Sequence, residues 1–166
     1  MRRAMILLLG LAACTHAPIG VGSEAPDFTA VALATGTPVS FREHYRGNVT
    51  LVNIWATWCE PCKEEIPALD TLYRGLADRG FRIAAVSIDT GDSTTVRSFL
   101  DQFNVAFDVL HDRSGDIQRI YQTTGVPESF LVDREGRIVR IVYGDHPWAS
   151  AANRRIIEEL LAQESS

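Results

Sequence analysis

Cysteine is scarce: three in 166 residues, an odd number and too few to staple a disulfide-built scaffold, so each needs its own explanation. Long apolar stretches are also missing. The run near the N-terminus falls far short of the ~20 residues a helix needs to cross a bilayer, which weighs against a permanent span. No low-complexity tract, internal repeat or block of like charge interrupts the chain, so neither a solenoid nor a disordered tail is suggested. Basic residues are in the minority, with 16 Lys and Arg against 21 Asp and Glu for a formal charge of -5. Without Arg2 and Arg3, which belong to the leader described next, 14 basic residues face 21 acidic ones and the balance falls to -7. An acidic domain is a poor partner for nucleic acid. What is there, 46% hydrophobic and 22% charged residues, suits one globular domain and leaves no room for a second.

Arg2 and Arg3, the apolar run Met5 to Leu11 and the small pair Ala12-Ala13 make up a secretory signal peptide over residues 1–13. Leu11-Ala12-Ala13-Cys14 resembles the lipobox of bacterial lipoproteins. That resemblance implies a lipid on Cys14 and attachment to the extracytoplasmic, periplasmic side of a membrane. An ordinary signal peptide with an incidental Cys14 is the alternative. Residues 14–23 contain Gly and Pro without periodicity and read as a flexible tether, reaching ~30 Å at full extension. The folded domain is then expected over residues 24–166.

Within it, Val49 to Ala56 is an almost unbroken apolar run, as expected of a central strand covered on both faces. The period then changes. Ile66, Leu69, Leu72, Tyr73 and Leu76 fall at helical spacing in a helix from Lys63 to Arg79, which Pro67 should kink. Arg82 to Ile88 reads as a second strand, and Val96, Phe99, Leu100 and Phe103 as the stripe of a helix starting near Asp92 or Ser93. A short strand at Phe107 to Leu110, a short helix at Gly115 to Tyr121, a hairpin of Glu128 to Val132 with Arg137 to Tyr143, and a helix from Ser150 to Gln163 complete the chain. Thr29 to Phe41 is expected to add an N-terminal hairpin. The alternation predicts an α/β fold, a mixed central sheet with helices on both faces and a central strand-helix insertion.

The chemistry is expected where the first long strand meets its helix, in Trp55-Ala56-Thr57-Trp58-Cys59-Glu60-Pro61-Cys62-Lys63. Free N–H groups and the positive end of the helix dipole favour a thiolate on Cys59, making it the nucleophile. Pro61 is tolerated in the first turn, where its missing N–H costs nothing. Cys62, deeper, would resolve the mixed disulfide. Two other readings exist for a Cys-x-x-Cys pair, half of a zinc site or a structural disulfide. Zinc lacks further ligands, because His16, His44, His111 and His146 are scattered singly, and a structural bridge gains little from so short a loop.

Leu51 to Pro67 resembles the TlpA/ResA family of extracytoplasmic thioredoxin-like proteins, and Ala25-Pro26-Asp27-Phe28 and Gly125-Val126-Pro127-Glu128-Ser129-Phe130 extend the likeness over nearly the whole domain. The resemblance implies a thioredoxin-like fold with Pro127 cis and facing the disulfide, and a Val126 backbone open to strand-like pairing with substrate. Cytoplasmic thioredoxins carry an acid six residues before the first cysteine, where this chain has Asn53; the family likeness moves the acid-base role to Glu65, one turn from Cys62. A solvated helix glutamate, like Glu64, is the plainer reading. Glu60 would tune the pair and oppose a thiolate on Cys59. Trp58 would offer substrates an apolar surface, with Trp55 in the core, and Gly144 would line the groove or merely turn the chain into the last helix.

The implied activity is thiol-disulfide exchange with protein thiols and disulfides, in the reducing direction, by a monomer fed from a membrane reductant and needing no cofactor beyond the Cys59-Cys62 disulfide and no metal. Apocytochrome c and copper-site assembly factors are the substrate types the family suggests. Two rival classes share the fold. A thiol peroxidase would want threonine three residues before its cysteine, where Ala56 stands. A Cu(I) chaperone could use Cys59, Cys62 and His146, since soft thiolates select Cu(I).

Overall fold

The structure is a computed structural model describing residues 18–163. The leader, Cys14 and His16 lie outside them. Strands β1 (Thr29–Ala32) and β2 (Pro38–Ser40) form the N-terminal hairpin, followed by a short helix α1 (Phe41–Tyr45), the central strand β3 (Val49–Trp55) and the long helix α2 (Glu60–Leu76). Then come β4 (Phe81–Ser87), α3 (Ser93–Leu100), β5 (Asp108–His111), α4 (Asp116–Ile120), the hairpin β6 (Glu128–Val132) and β7 (Ile138–Tyr143), and α5 (Ala151–Ala162). One seven-stranded sheet in the order β2-β1-β5-β4-β3-β6-β7 runs through the molecule. It is mixed, as expected: β3, β4 and β5 are parallel, while β6 runs antiparallel to β3, and β1 to β5.

Burial explains the central position of β3. All seven of its residues are buried, so both faces are covered, and an apolar run tolerates this where an alternating strand would not. Helix α2 lays Ile66, Leu69, Leu72 and Leu76 into the core and continues as one element through Pro67. Helix α3 stops at Leu100, leaving Phe103 beyond its end, where it still packs on Phe99 with ring centroids 5.2 Å apart. Trp55 is core, as expected.

One element departs from the sequence reading. Helix α1 was not anticipated, although Ser40-x-x-Glu43 carries its start signal: the Ser40 hydroxyl accepts the Glu43 N–H at 3.3 Å. At the end of the expected tether, the Gly22 N–H donates to the Ile138 carbonyl at 2.7 Å and the Ser23 carbonyl accepts the Ile138 N–H at 2.9 Å. The N-terminal segment is thus bonded to β7 before Glu24. Among the described residues no helix is long and apolar enough to cross a membrane.

Candidate active site

At the C-terminal end of β3 the chain turns through Ala56, Thr57 and Trp58 to Cys59, which occupies the N-cap of α2. Its sulfur accepts the backbone N–H of Cys62 at 3.3 Å. The cap position normally taken by a serine or aspartate oxygen is filled by the Cys59 sulfur, whose thiolate form in the reduced protein the free N–H groups and helix dipole stabilise. Cys59 and Cys62 form a disulfide with Cα atoms 5.3 Å apart. Cys59 is the more accessible, at 5% exposure against 1% for Cys62, which suits a nucleophile and a resolving thiol. Pro61 sits in the first turn, and Glu60 pairs with Lys63 at 2.8 Å rather than standing alone beside the sulfur.

The Val126-Pro127 peptide is cis, and the Val126 carbonyl oxygen lies 3.5 Å from Cys59 Sγ. Gly144 has a left-handed backbone, φ +77°, with open space where a Cβ would be, and donates its N–H to the Pro127 carbonyl at 2.9 Å. It bounds a cleft shared with Thr124, Val126 and Pro127. Trp58 and Tyr143 are each 66% exposed, large aromatic surfaces left to solvent; Trp58 adjoins Cys59 in the chain, and Tyr143 borders the cleft.

Glu64 and Glu65 part company. Glu64 is exposed, whereas Glu65 is buried at 4% exposure, so the solvated-helix reading fails for Glu65. Its Oε1 accepts from Asn53 Nδ2 at 2.7 Å, and Asn53 also donates to Ser129 Oγ at 2.9 Å. Burial pushes the Glu65 pKa up to about 7, against the Asn53 bond and the nearby Trp148 and His146 backbone donors that lower it, with Asp145 raising it further. The asparagine that replaces an acid on β3 is therefore the tether for the acid on α2.

Asp89 lies outside the sequence-predicted site. Buried in the loop after β4, it accepts the Thr57 N–H at 3.0 Å, the Thr57 hydroxyl at 2.6 Å and the Ser87 hydroxyl at 2.7 Å. It pins the turn that carries Trp58 and Cys59. A signal existed: an aspartate directly after an apolar strand, at the sheet end that bears the cysteines. Glu128 also lies outside the sequence-predicted site. Buried next to Pro127, it accepts the Thr124 N–H at 3.0 Å, and burial raises its pKa while that bond opposes the shift. His146, considered as a copper ligand, has Nε2 engaged by Asn153 Oδ1 at 3.0 Å.

A sequence model of the Redoxin family matches residues 20–161. The chain belongs to the Redoxin family. Within it, the similarity is to thiol-disulfide oxidoreductases named ResA: 32% identity over 154 residues to that of Oceanobacillus iheyensis, covering 86% of this chain and 80% of the relative, and 32% over 156 residues to that of Geobacillus thermodenitrificans, covering 86% of each. Among solved structures, a Chlorobium tepidum protein described as a DsbE-type thiol:disulfide interchange protein aligns over 87% of this chain and 99% of its own at TM-score 0.79 and 29% identity. The thioredoxin domain of a Bacteroides vulgatus thiol-disulfide oxidoreductase aligns over 86% and 99% at 0.75 and 26%. This Redoxin member therefore has the thioredoxin-like fold and is a thiol-disulfide oxidoreductase of the ResA/DsbE type, with Cys59 and Cys62 as its pair.

Proposed function

We propose that this oxidoreductase works as a protein-disulfide reductase, and the observation that carries the reading is the sulfur of Cys59 capping α2 in front of the Val126 carbonyl. In the dithiol form the Cys59 thiolate attacks a substrate disulfide. A mixed disulfide forms, one substrate thiolate leaves and takes a proton from solvent. Cys62 then gives its proton to the Glu65 carboxylate and its thiolate attacks Cys59 Sγ, releasing the second substrate thiolate and leaving the Cys59-Cys62 disulfide. Two electrons have passed from the pair to the substrate. A carboxyl poised near neutrality can both take and return that proton, which is what a shuttle at physiological pH requires.

Trp58, Tyr143, Val126, Pro127 and Gly144 form the surface for an extended substrate segment, with the backbone at Val126 available for strand-like pairing. The direction of flow is reductive, toward envelope proteins such as apocytochrome c or copper-site assembly factors. A disulfide is the stable state outside the cytoplasm, so the cycle needs a dedicated membrane thiol donor. The protein acts as a monomer with no cofactor besides its own disulfide, after loss of residues 1–13 and lipid attachment at Cys14, on the extracytoplasmic side of the membrane.

The test is a pair of serine variants with a measured potential. Cys59→Ser should abolish exchange and Cys62→Ser should accumulate mixed disulfides; a fully active Cys59→Ser protein would sink the mechanism. A reduction potential of about -270 mV or lower supports a reductant, and one of about -120 mV reverses the direction.

A further inference from the structure

Two buried polar atoms at the heart of the site have no hydrogen-bond partner: Oε2 of Glu65 and Nε1 of Trp148. Buried polar groups are nearly always satisfied, so a coincident pair of orphans asks for a reason. Trp148 comes from the loop between β7 and α5 and is 1% exposed. Its indole acts on the Glu65 carboxyl, lowering its pKa, yet no bond of good geometry joins them.

The surrounding hydrogen bonds determine which oxygen carries the proton. Asn53 Nδ2 donates to both Glu65 Oε1 and Ser129 Oγ, so Oε1 is an acceptor and the proton of the neutral acid resides on Oε2. Indole nitrogen is donor only. With Oε2 protonated, the simplest pairing sets one donor against another; with the carboxyl ionised, Oε2 becomes an acceptor that the indole N–H can satisfy.

The loop holds Trp148 firmly enough for this distinction to matter. Asn153, 4% exposed, donates Nδ2 to the Pro147 carbonyl at 2.8 Å and accepts on Oδ1 from Arg140 and from His146 Nε2, both at 3.0 Å. Because Nδ2 is already used, Oδ1 is the acceptor and His146 Nε2 carries a proton. The His146 ring stands edge-on to Trp148 with centroids 4.8 Å apart. The indole is packed from one side and its loop tied from below.

We propose that Trp148 is a positioning residue for the proton of Glu65, its indole N–H pairing with Oε2 only when the carboxyl is ionised and thereby stabilising the form that accepts a proton from Cys62. The proposal rests on the reading of Glu65 as the proton acceptor. The groups that face this carboxyl are Asn53 from β3, with Ser129 of β6 behind it, and Trp148, the His146 backbone and the Asp145 carboxylate from the loop, while Cys62 lies one turn earlier on the same helix. Asp145 is the charged member and opposes ionisation, so the indole N–H offsets it.

The test follows the Glu65 carboxyl directly, by carbon NMR of the oxidised protein labelled in glutamate side chains, with Glu65→Gln identifying the signal. Two variants remove the indole N–H: Trp148→Phe, and replacement of Trp148 by benzothienylalanine, which keeps the bicyclic shape. In both, the Glu65 midpoint should rise by about one pH unit, a tenfold gain in proton affinity. An unmoved midpoint in the benzothienyl protein overturns the proposal. Ile157→Val loosens the buried face of α5 without touching the N–H and should leave the midpoint in place; an equal shift there assigns the effect to packing and also overturns it. A shifted midpoint with an unchanged pH-rate profile for disulfide reduction refutes the proton-acceptor role of Glu65 and leaves the coupling to Trp148 standing.

Discussion

Glu65 couples stability to pH in a direction that can be worked out in advance. Its folded pKa is raised to about 7 from 4.5, so between those values the folded protein holds a proton that the unfolded chain releases. Rising pH then favours unfolding: stability associated with the neutral acid is full below the unfolded pKa and is lost as pH climbs through the folded one. Each unit of difference corresponds to about 1.4 kcal/mol, giving roughly 3 kcal/mol over the whole window. Glu65→Gln keeps the side-chain volume and an oxygen for Asn53 but cannot ionise. Urea denaturation of the oxidised wild-type and Glu65→Gln proteins across about pH 4 to pH 8 isolates the effect, because the other titrating groups are common to both. The variant should gain on the wild type by roughly 3 kcal/mol from the acid to the alkaline end, or roughly 6–12 °C in Tm for a domain of this size. A difference between the two proteins that stays constant with pH refutes the reasoning, since a carboxyl free to ionise at its ordinary pKa would produce no slope in that window.

Two other perturbations separate positioning from contact. Asp89→Asn leaves one carboxamide oxygen for donors that now share two, so Thr57 or Ser87 loses its partner and stability falls by about 1–3 kcal/mol; the alkylation of reduced Cys59 should also shift to higher pH as the turn loosens, whereas a shift to lower pH would mean that the removed charge, not the geometry, was the controlling effect. Trp58→Ala, at a residue 66% exposed, should change stability by no more than about 0.5 kcal/mol. It should lower kcat/KM for a protein disulfide several-fold while leaving reaction with a small aromatic disulfide unchanged, and equal losses with both substrates would remove Trp58 from the substrate surface.

Much of this site was legible in one dimension. The cysteine pair, Pro61 and the strand-to-helix transition lie within a dozen residues, and local rules govern them: a buried apolar strand, a tolerated proline, a thiol at a helix cap. Pro127 was read from its neighbours by resemblance, and the sheet from the alternation of strand and helix periods. The remaining features depended on contacts distant in sequence. Glu64 and Glu65 are adjacent and chemically identical, yet only Glu65 points inward, where Asn53 twelve positions earlier reaches it. Asp89 meets Thr57 across 32 positions, and Asn53 meets Ser129 across 76. Sequence by itself determined where the sulfur chemistry sits, because a capped thiol needs little more than its own helix. The family likeness pointed to Glu65, but only the tertiary structure decided that its carboxyl is buried with a raised proton affinity, because that affinity depends on what excludes water from it, and residues from β3, β6 and the last loop do that together.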